Sequence, residues 1–317
     1  MTSERPLRLT VWVLGATWLV MLLAMNSHVP AAVVSDAFGL WHDSGPRRIY
    51  TNERLSKYLL ARRYVPGNFD GVLMGPSFSA NINPQDLAGL RLYNLSINGG
   101  NAYEQKHVFE PAAQSGRLKY VVLCLHPYIV KDTGFKARNF SANYLEAALF
   151  SREARLIADA SIRGISLESP DVFASSEAGW NDFDQLKDRD GYDFRKQVAS
   201  MANAAPSTAP YKPNTRALQD LRDIVAMARR NNIRIFGFYF PNNIWSFDIL
   251  YRPTWAEFRR DIDSMFGPED IIWDMNTPDY DFIRANLNAY SDGHLNRVGA
   301  RLVAQVLREK LTAARVK

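Results

Sequence analysis

Apolar residues are arranged along this chain in three distinct ways, and each predicts a different kind of element. The first is a single long run. From Leu9 to Val34 no residue is charged unless His28 is protonated, and Val11 through Met25 is nearly all apolar. With Leu7 and Leu9 the run reaches about the 20 residues needed to cross a bilayer. Arg5 and Arg8 precede it and no Lys or Arg follows until Arg47, so the charge bias keeps the N-terminus cytoplasmic and sends the rest across. An uncleaved anchor over residues 1–30 is predicted, with the main domain periplasmic or otherwise extracytoplasmic. A cleaved signal peptide ending near Pro30-Ala31-Ala32 is the alternative, although the run exceeds a usual signal core.

The second arrangement is a set of short, continuous apolar runs: Gly71 to Met74, Leu92 to Ile97, Tyr120 to Leu125, Ile233 to Phe240 and Ile271 to Trp273. Each has the length of a strand buried on both faces. The third is helical spacing between or after them. Leu218, Leu221, Ile224, Val225 and Ala228 share one helix face, as do Val298, Leu302, Val303, Val306 and Leu307. Strands alternating with amphipathic helices predict a parallel sheet covered by helices on both sides, over residues 68–317. Residues 31–67 read as a polar approach with a helix predicted from Asn52 to Arg63. Residues 131–213 lack a comparable strand and read as an insertion at one edge of the sheet, where lids and binding loops are often placed.

Composition narrows the classes without changing this picture. The 317 residues are 47% hydrophobic and 22% charged, which excludes disordered and collagenous chains. Cys124 is the only cysteine, so neither an intrachain disulfide nor a cysteine-based metal centre organises the fold. The net charge is +5, with basic residues in scattered pairs such as Arg62-Arg63 and Arg229-Arg230; no basic stripe suited to nucleic acid is present. Asp188-Arg189-Asp190-Gly191 has a calcium-loop look but fails at both ends of the loop pattern, leaving a solvated acidic turn. Asn94-Leu95-Ser96 and Asn139-Phe140-Ser141 match the glycosylation triplet by pattern alone.

Candidate chemistry collects at strand ends. Ser77 follows the first strand directly, and in an open parallel sheet the ligand crevice lies beyond the carboxyl ends of the strands. A plain helix N-cap is the other reading of this serine. Asn98-Gly99-Gly100 follows the second strand, where glycine lets backbone N–H groups approach a substrate as an oxyanion hole requires; a simple turn is the alternative. Asp292-Gly293-His294 precedes the last helix and sets a carboxylate two residues from an imidazole. That pairing suits a base that activates a serine, unless Asp292 merely caps the helix and His294 lies on the surface. Beyond the fourth strand, Asn242, Asn243 and Trp245 have the amides and ring face that suit a carbohydrate, or the makings of a turn.

Taken in order, these pieces resemble the SGNH, or GDSL, hydrolase superfamily. Gly75-Pro76-Ser77-Phe78-Ser79 is similar to its Gly-Asp-Ser-Leu-Ser block. Asn94 through Gly99 is similar to its second block, and Asp292-Gly293-His294 to its final Asp/His block. The resemblance implies a flavodoxin-like three-layer α/β/α sandwich with Ser77 as nucleophile, His294 as base and Asp292 as its orienting partner. Gly99 and the Ser77 N–H would line the oxyanion hole. Pro76 replaces the usual Asp, and the Asp-to-His gap is one residue short, as in membrane-anchored polysaccharide O-acetylation proteins of the alginate type. The third block has His126 where an oxyanion-donating Asn is usual. His126 is expected either to substitute as a donor or to be a buried histidine bonded at a strand end.

The function this implies is an anchored serine esterase or O-acyltransferase handling acyl groups, chiefly acetyl, on an envelope or secreted polysaccharide, with no metal or organic cofactor. A lipase at the membrane surface is disfavoured by the polar insertion. The alternative comes from teichoic-acid D-alanylation proteins of the DltD type, which implies a docking partner of a multi-pass membrane O-acyltransferase with an impaired site.

Overall fold

A computed structural model of the chain describes residues 4–42, 52–131, 140, 143–165, 177–181, 193–201, 204–291 and 293–314. Its centre is a five-stranded, wholly parallel sheet of β1 (Gly71–Met74), β2 (Leu92–Asn94), β3 (Tyr120–Leu125), β4 (Arg234–Tyr239) and β5 (Ile271–Asp274). The strand order is β2-β1-β3-β4-β5, which is the flavodoxin-like order.

Side-chain alternation divides the core into two layers. On β3, Val121, Leu123 and Leu125 face one way, and on β4 Ile235 and Tyr239 do the same. They pack with helices Ala102–Gln114, Thr215–Arg230 and Arg252–Asp263. Tyr120, Val122 and Cys124, with Phe236, Phe238 and Phe240, face the opposite layer, which is closed by the C-terminal helix Arg297–Ala313. With helices on both faces, β3 is buried along its whole length, and for this reason it reads as an unbroken apolar run. The α/β fold with its covered parallel sheet therefore fits a three-layer sandwich.

The insertion supplies helices Tyr144–Phe150, Arg152–Arg163 and Phe194–Met201. Residues 177–181 run beside the outer edge of the sheet, where Ala178 O accepts from Asn94 N–H (2.7 Å) and Asn181 N–H donates to Ala80 O (2.7 Å). An exposed edge is thereby covered. Helix Glu53–Leu60, begun by the Asn52 cap, lies within the predicted Asn52 to Arg63 span. It is no surface helix. Leu55, Tyr58 and Leu59 join Ile97, Val108, Ala148 and Ile157 in a third apolar cluster that ties the approach segment and the insertion to the sheet.

The N-terminal run forms the 22-residue helix Glu4–Met25, exposed at Trp12, Val13, Leu14 and Trp18 through Leu22. Among the described residues no helix is long and apolar enough to cross a membrane. The helix His28–Ser35 packs on Arg152–Arg163 of the insertion.

β1 ends at a close approach. A Cβ on Gly75 would lie 2.5 Å from Ser79 Oγ and 2.7 Å from Cys124 Cβ. Gly75→Ala is expected to cost about 1–3 kcal/mol in urea unfolding through overpacking, and an unchanged midpoint would contradict so tight a contact.

Candidate active site

Ser77 opens the short helix Ser77–Ala80 directly beyond β1, and Pro76 occupies the cap position. Ser77 is therefore the first residue of the helix and not its cap, and its hydroxyl lies 2.9 Å from His294 Nε2. For the hydroxyl to donate, Nε2 must be the unprotonated nitrogen, with the ring proton on Nδ1. Ser77 is 8% exposed, a buried side chain and not one on an open surface.

Several contacts bring His294 there from more than two hundred residues away. It sits in the hairpin of β6 (Tyr290–Ser291) and β7 (His294–Leu295), turned by Gly293 at φ +79°. Leu295 is fully buried in the second apolar layer, and its carbonyl accepts from the Asn81 side chain at the end of the Ser77 helix. The Tyr290 hydroxyl donates to Pro241 O (2.7 Å), holding the hairpin against the end of β4. Phe78 stacks on the imidazole of His294 at 4.6 Å and 8° between planes. Asp292, the expected orienting carboxylate, lies outside the described residues, as do Asn139 and the Asp188 to Gly191 turn. The last helix is capped by Asn296, whose side chain accepts from Val298 and Gly299 N–H.

The second block runs beside the first. Leu95 N–H donates to Leu73 O (2.7 Å) and Ile97 N–H to Gly75 O (3.0 Å). Gly99 thus stands two residues beyond a backbone partner of Gly75, as Ser77 stands two residues beyond Gly75 itself. Gly99 has φ +61°, and a Cβ there would meet Tyr128 Oη at 3.8 Å, while Tyr128 in turn neighbours Phe78. Among the described residues the Gly99 N–H has no hydrogen-bond acceptor. The Asn94 side chain donates to the carbonyls of Ser79 (2.8 Å) and Ile82 (2.9 Å), and Ser79 Oγ meets Ser96 Oγ at 2.8 Å. Asn94 is fully buried, so its glycosylation triplet is not presented to solvent.

His126 lies on the other side of Phe78, stacked at 3.8 Å. Its Nδ1 accepts from Tyr128 N–H (3.1 Å), which puts the ring proton on Nε2, 3.2 Å from Asn242 Oδ1. Both nitrogens are therefore engaged within the protein, as a buried strand-end histidine requires. Burial first, and then the neighbouring His294, holds His126 well below the usual imidazole value of 6.5. The unfolded chain then binds more protons than the folded chain below pH 6.5, and stability rises with pH across that window. Through His126 alone, unfolding free energy is expected to fall by up to about 1.4 kcal/mol per pH unit on acidification below 6.5, until the folded imidazole itself takes up a proton. His126→Gln should flatten that slope in urea titrations, and an unaltered slope would contradict a neutral, buried imidazole.

The amides beyond β4 are engaged in the same way. Asn242 Nδ2 donates to Phe240 O (3.1 Å) and Asn276 Oδ1 (3.3 Å), while Asn243 Oδ1 accepts from Ser246 N–H (2.7 Å). Both residues are buried and make the bonds of turn-building residues, while Trp245 is partly buried against the second layer. Cys124 is an enclosed thiol, pushed up to about 12 by burial. No cluster of three or more His, Cys, Asp or Glu suited to a metal occurs among the described residues.

The sequence reading passed over Phe78, which adjoins Ser77, and Glu53, Arg54 and Lys57 on the helix before the sheet. Glu53 and Lys57, four apart, have the spacing of a surface ion pair, yet Lys57 is completely enclosed. Its Nζ lies 3.0 Å from Glu53 Oε1 and also donates to the Ser96 carbonyl. Burial lowers its pKa, against the opposing pull of Glu53.

No protein-family model matches the chain, and none of the curated proteins matches it. Among solved structures it is similar to a Streptococcus pneumonia protein proposed to be a platelet activating factor, at 10% identity and TM-score 0.44, covering 82% of this chain and 91% of that one. It is also similar to a proposed acylhydrolase of Bacteroides fragilis, at 12% identity and TM-score 0.41, covering 77% and 86%.

Proposed function

We propose that this chain is a membrane-anchored, SGNH-like serine esterase or O-acyltransferase acting on acyl esters, chiefly acetyl, of an envelope or secreted polysaccharide. The observation that carries this reading is the 2.9 Å approach of Ser77 Oγ to His294 Nε2 at the carboxyl end of β1. Ser77 Oγ attacks the acyl carbon while its proton passes to His294 Nε2, and the resulting oxyanion accepts from the Gly99 and Ser77 N–H groups. The imidazolium then returns the proton to the departing sugar oxygen, leaving an acyl-serine. Water or a second sugar hydroxyl, deprotonated by the same imidazole, releases the acyl group and regenerates Ser77. Asp292 is assigned the orienting role. The anchor is read from the sequence, in which the apolar run from Leu9 follows Arg5 and Arg8.

The engagement of both His126 nitrogens favours a second reading, because the third strand then offers no imidazole donor to the oxyanion. In it the chain is a catalytically impaired docking partner of a multi-pass O-acyltransferase. Full-length protein in detergent micelles, incubated with an O-acetylated polysaccharide, tests between the two. The catalytic reading predicts acetate release, or transfer to an added glycan, that is absent in Ser77→Ala; equal yields with Ser77→Ala contradict catalysis and are what the docking reading predicts.

A further inference from the structure

The helix Glu53–Leu60 grips the loop that follows β2 through consecutive side chains. Arg54 Nη2 donates to Asn98 O (2.8 Å), and Glu53 Oε2 accepts from Asn98 N–H (2.9 Å). Both peptide groups flanking the Asn98 Cα are thus held by one helix. Arg54 is itself fixed, since its Nε donates to Glu104 Oε1 (2.6 Å) and Nη2 lies 3.4 Å from Glu104 Oε2. Glu104 is buried, and the Arg54 side chain is 15% exposed. A charge pair this enclosed is an expensive way to hold a surface turn.

The geometry of the peptide unit gives the contact its consequence. The Asn98 carbonyl and the Gly99 N–H belong to one planar, trans group and point in opposite directions. A guanidinium bonded to that oxygen therefore fixes where the N–H points. Glycine tolerates either sign of φ, so rotation of the 98–99 peptide is not opposed by a Cβ at Gly99. The restraint must come from a partner of the carbonyl, and Arg54 supplies it.

We propose that Arg54 is a positioning residue that locks the Asn98–Gly99 peptide with its N–H presented as an oxyanion donor, an inference that rests on the serine-hydrolase reading of the same site. Its guanidinium touches the far side of that peptide and not the substrate. Opposed by Glu104, it sets direction without adding a free positive charge. Losing one well-aimed oxyanion donor costs on the order of 10² to 10³ in rate.

The test measures p-nitrophenyl acetate turnover by the full chain in detergent micelles, beside Ser77→Ala. Arg54→Met is expected to lower kcat about 10²-fold with KM within about twofold, because donation to the oxyanion matters in the transition state. Arg54→Lys keeps the charge against Glu104 and guards against a folding defect. A single ammonium serves Glu104 and the Asn98 carbonyl poorly, so kcat is expected to fall at least about tenfold. A folded Arg54→Lys with unchanged kcat, or an Arg54→Met whose loss lies wholly in KM, overturns the assignment while inactive Ser77→Ala leaves the serine reading standing. Full turnover by Ser77→Ala takes down both.

Discussion

Replacing His294 by Ala is expected to slow modification of Ser77 by a fluorophosphonate by about 10² to 10⁴, the contribution of a positioned general base. A serine hydroxyl reacts poorly until its proton is removed, and His294 Nε2 is 2.9 Å away with its ring held by the Phe78 stack. The substitution leaves the main hydrophobic layers intact, because the anchor of this hairpin in the second layer is Leu295. The reaction rate reports the hydroxyl itself and needs no knowledge of the natural substrate. A folded His294→Ala protein labelled within threefold of the wild-type rate would remove the imidazole from the mechanism.

The largest effect on stability is expected at Lys57. Removing one member of a buried ion pair leaves the other without compensation, at a cost of about 3–5 kcal/mol. Lys57→Ala strips the Ser96 carbonyl of its donor and leaves Glu53 with the Asn98 N–H and the Asn181 amide (2.7 Å). Those two bonds set the expected loss near the lower limit, about 3 kcal/mol, read from urea unfolding of the full chain. A loss below about 1 kcal/mol, the value of a surface pair, would contradict the enclosure of this ammonium. Lys57→Ala should also loosen the Ser96 to Gly99 loop, so its effect on turnover is expected to accompany its effect on unfolding.

The parallel sheet was legible in the sequence because strands buried on both faces are apolar at every position, as in Tyr120 to Leu125. Ser77 and His294 were legible for a related reason. The carboxyl ends of parallel strands gather on one rim, so polar groups just beyond them converge even when far apart in the chain. Charges balanced by distant partners were not legible. Glu53-Arg54-Leu55-Ser56-Lys57 has the composition of an exposed helix, and its acceptors and donors at Ser96, Asn98 and Glu104 lie some forty to fifty residues away. Asn242 and Asn243 allowed two readings, a sugar site or a turn. Their amides suit sugar hydroxyls, but short polar side chains bond just as readily to nearby backbone, and Asn243 caps the turn at Ser246. His126 was ambiguous because one residue type serves equally as donor and as buried acceptor; the Tyr128 N–H on Nδ1 fixes its tautomer.

Mass-spectrometric mapping of the adduct formed by a fluorophosphonate on the folded, full-length chain addresses the central claim most directly. A single phosphonyl group on the peptide carrying Ser77, missing after mild unfolding before exposure, is the predicted result. An adduct elsewhere, or none on protein shown to be folded, would mean that the alcohol and imidazole brought together at the rim of the sheet are not a reactive pair.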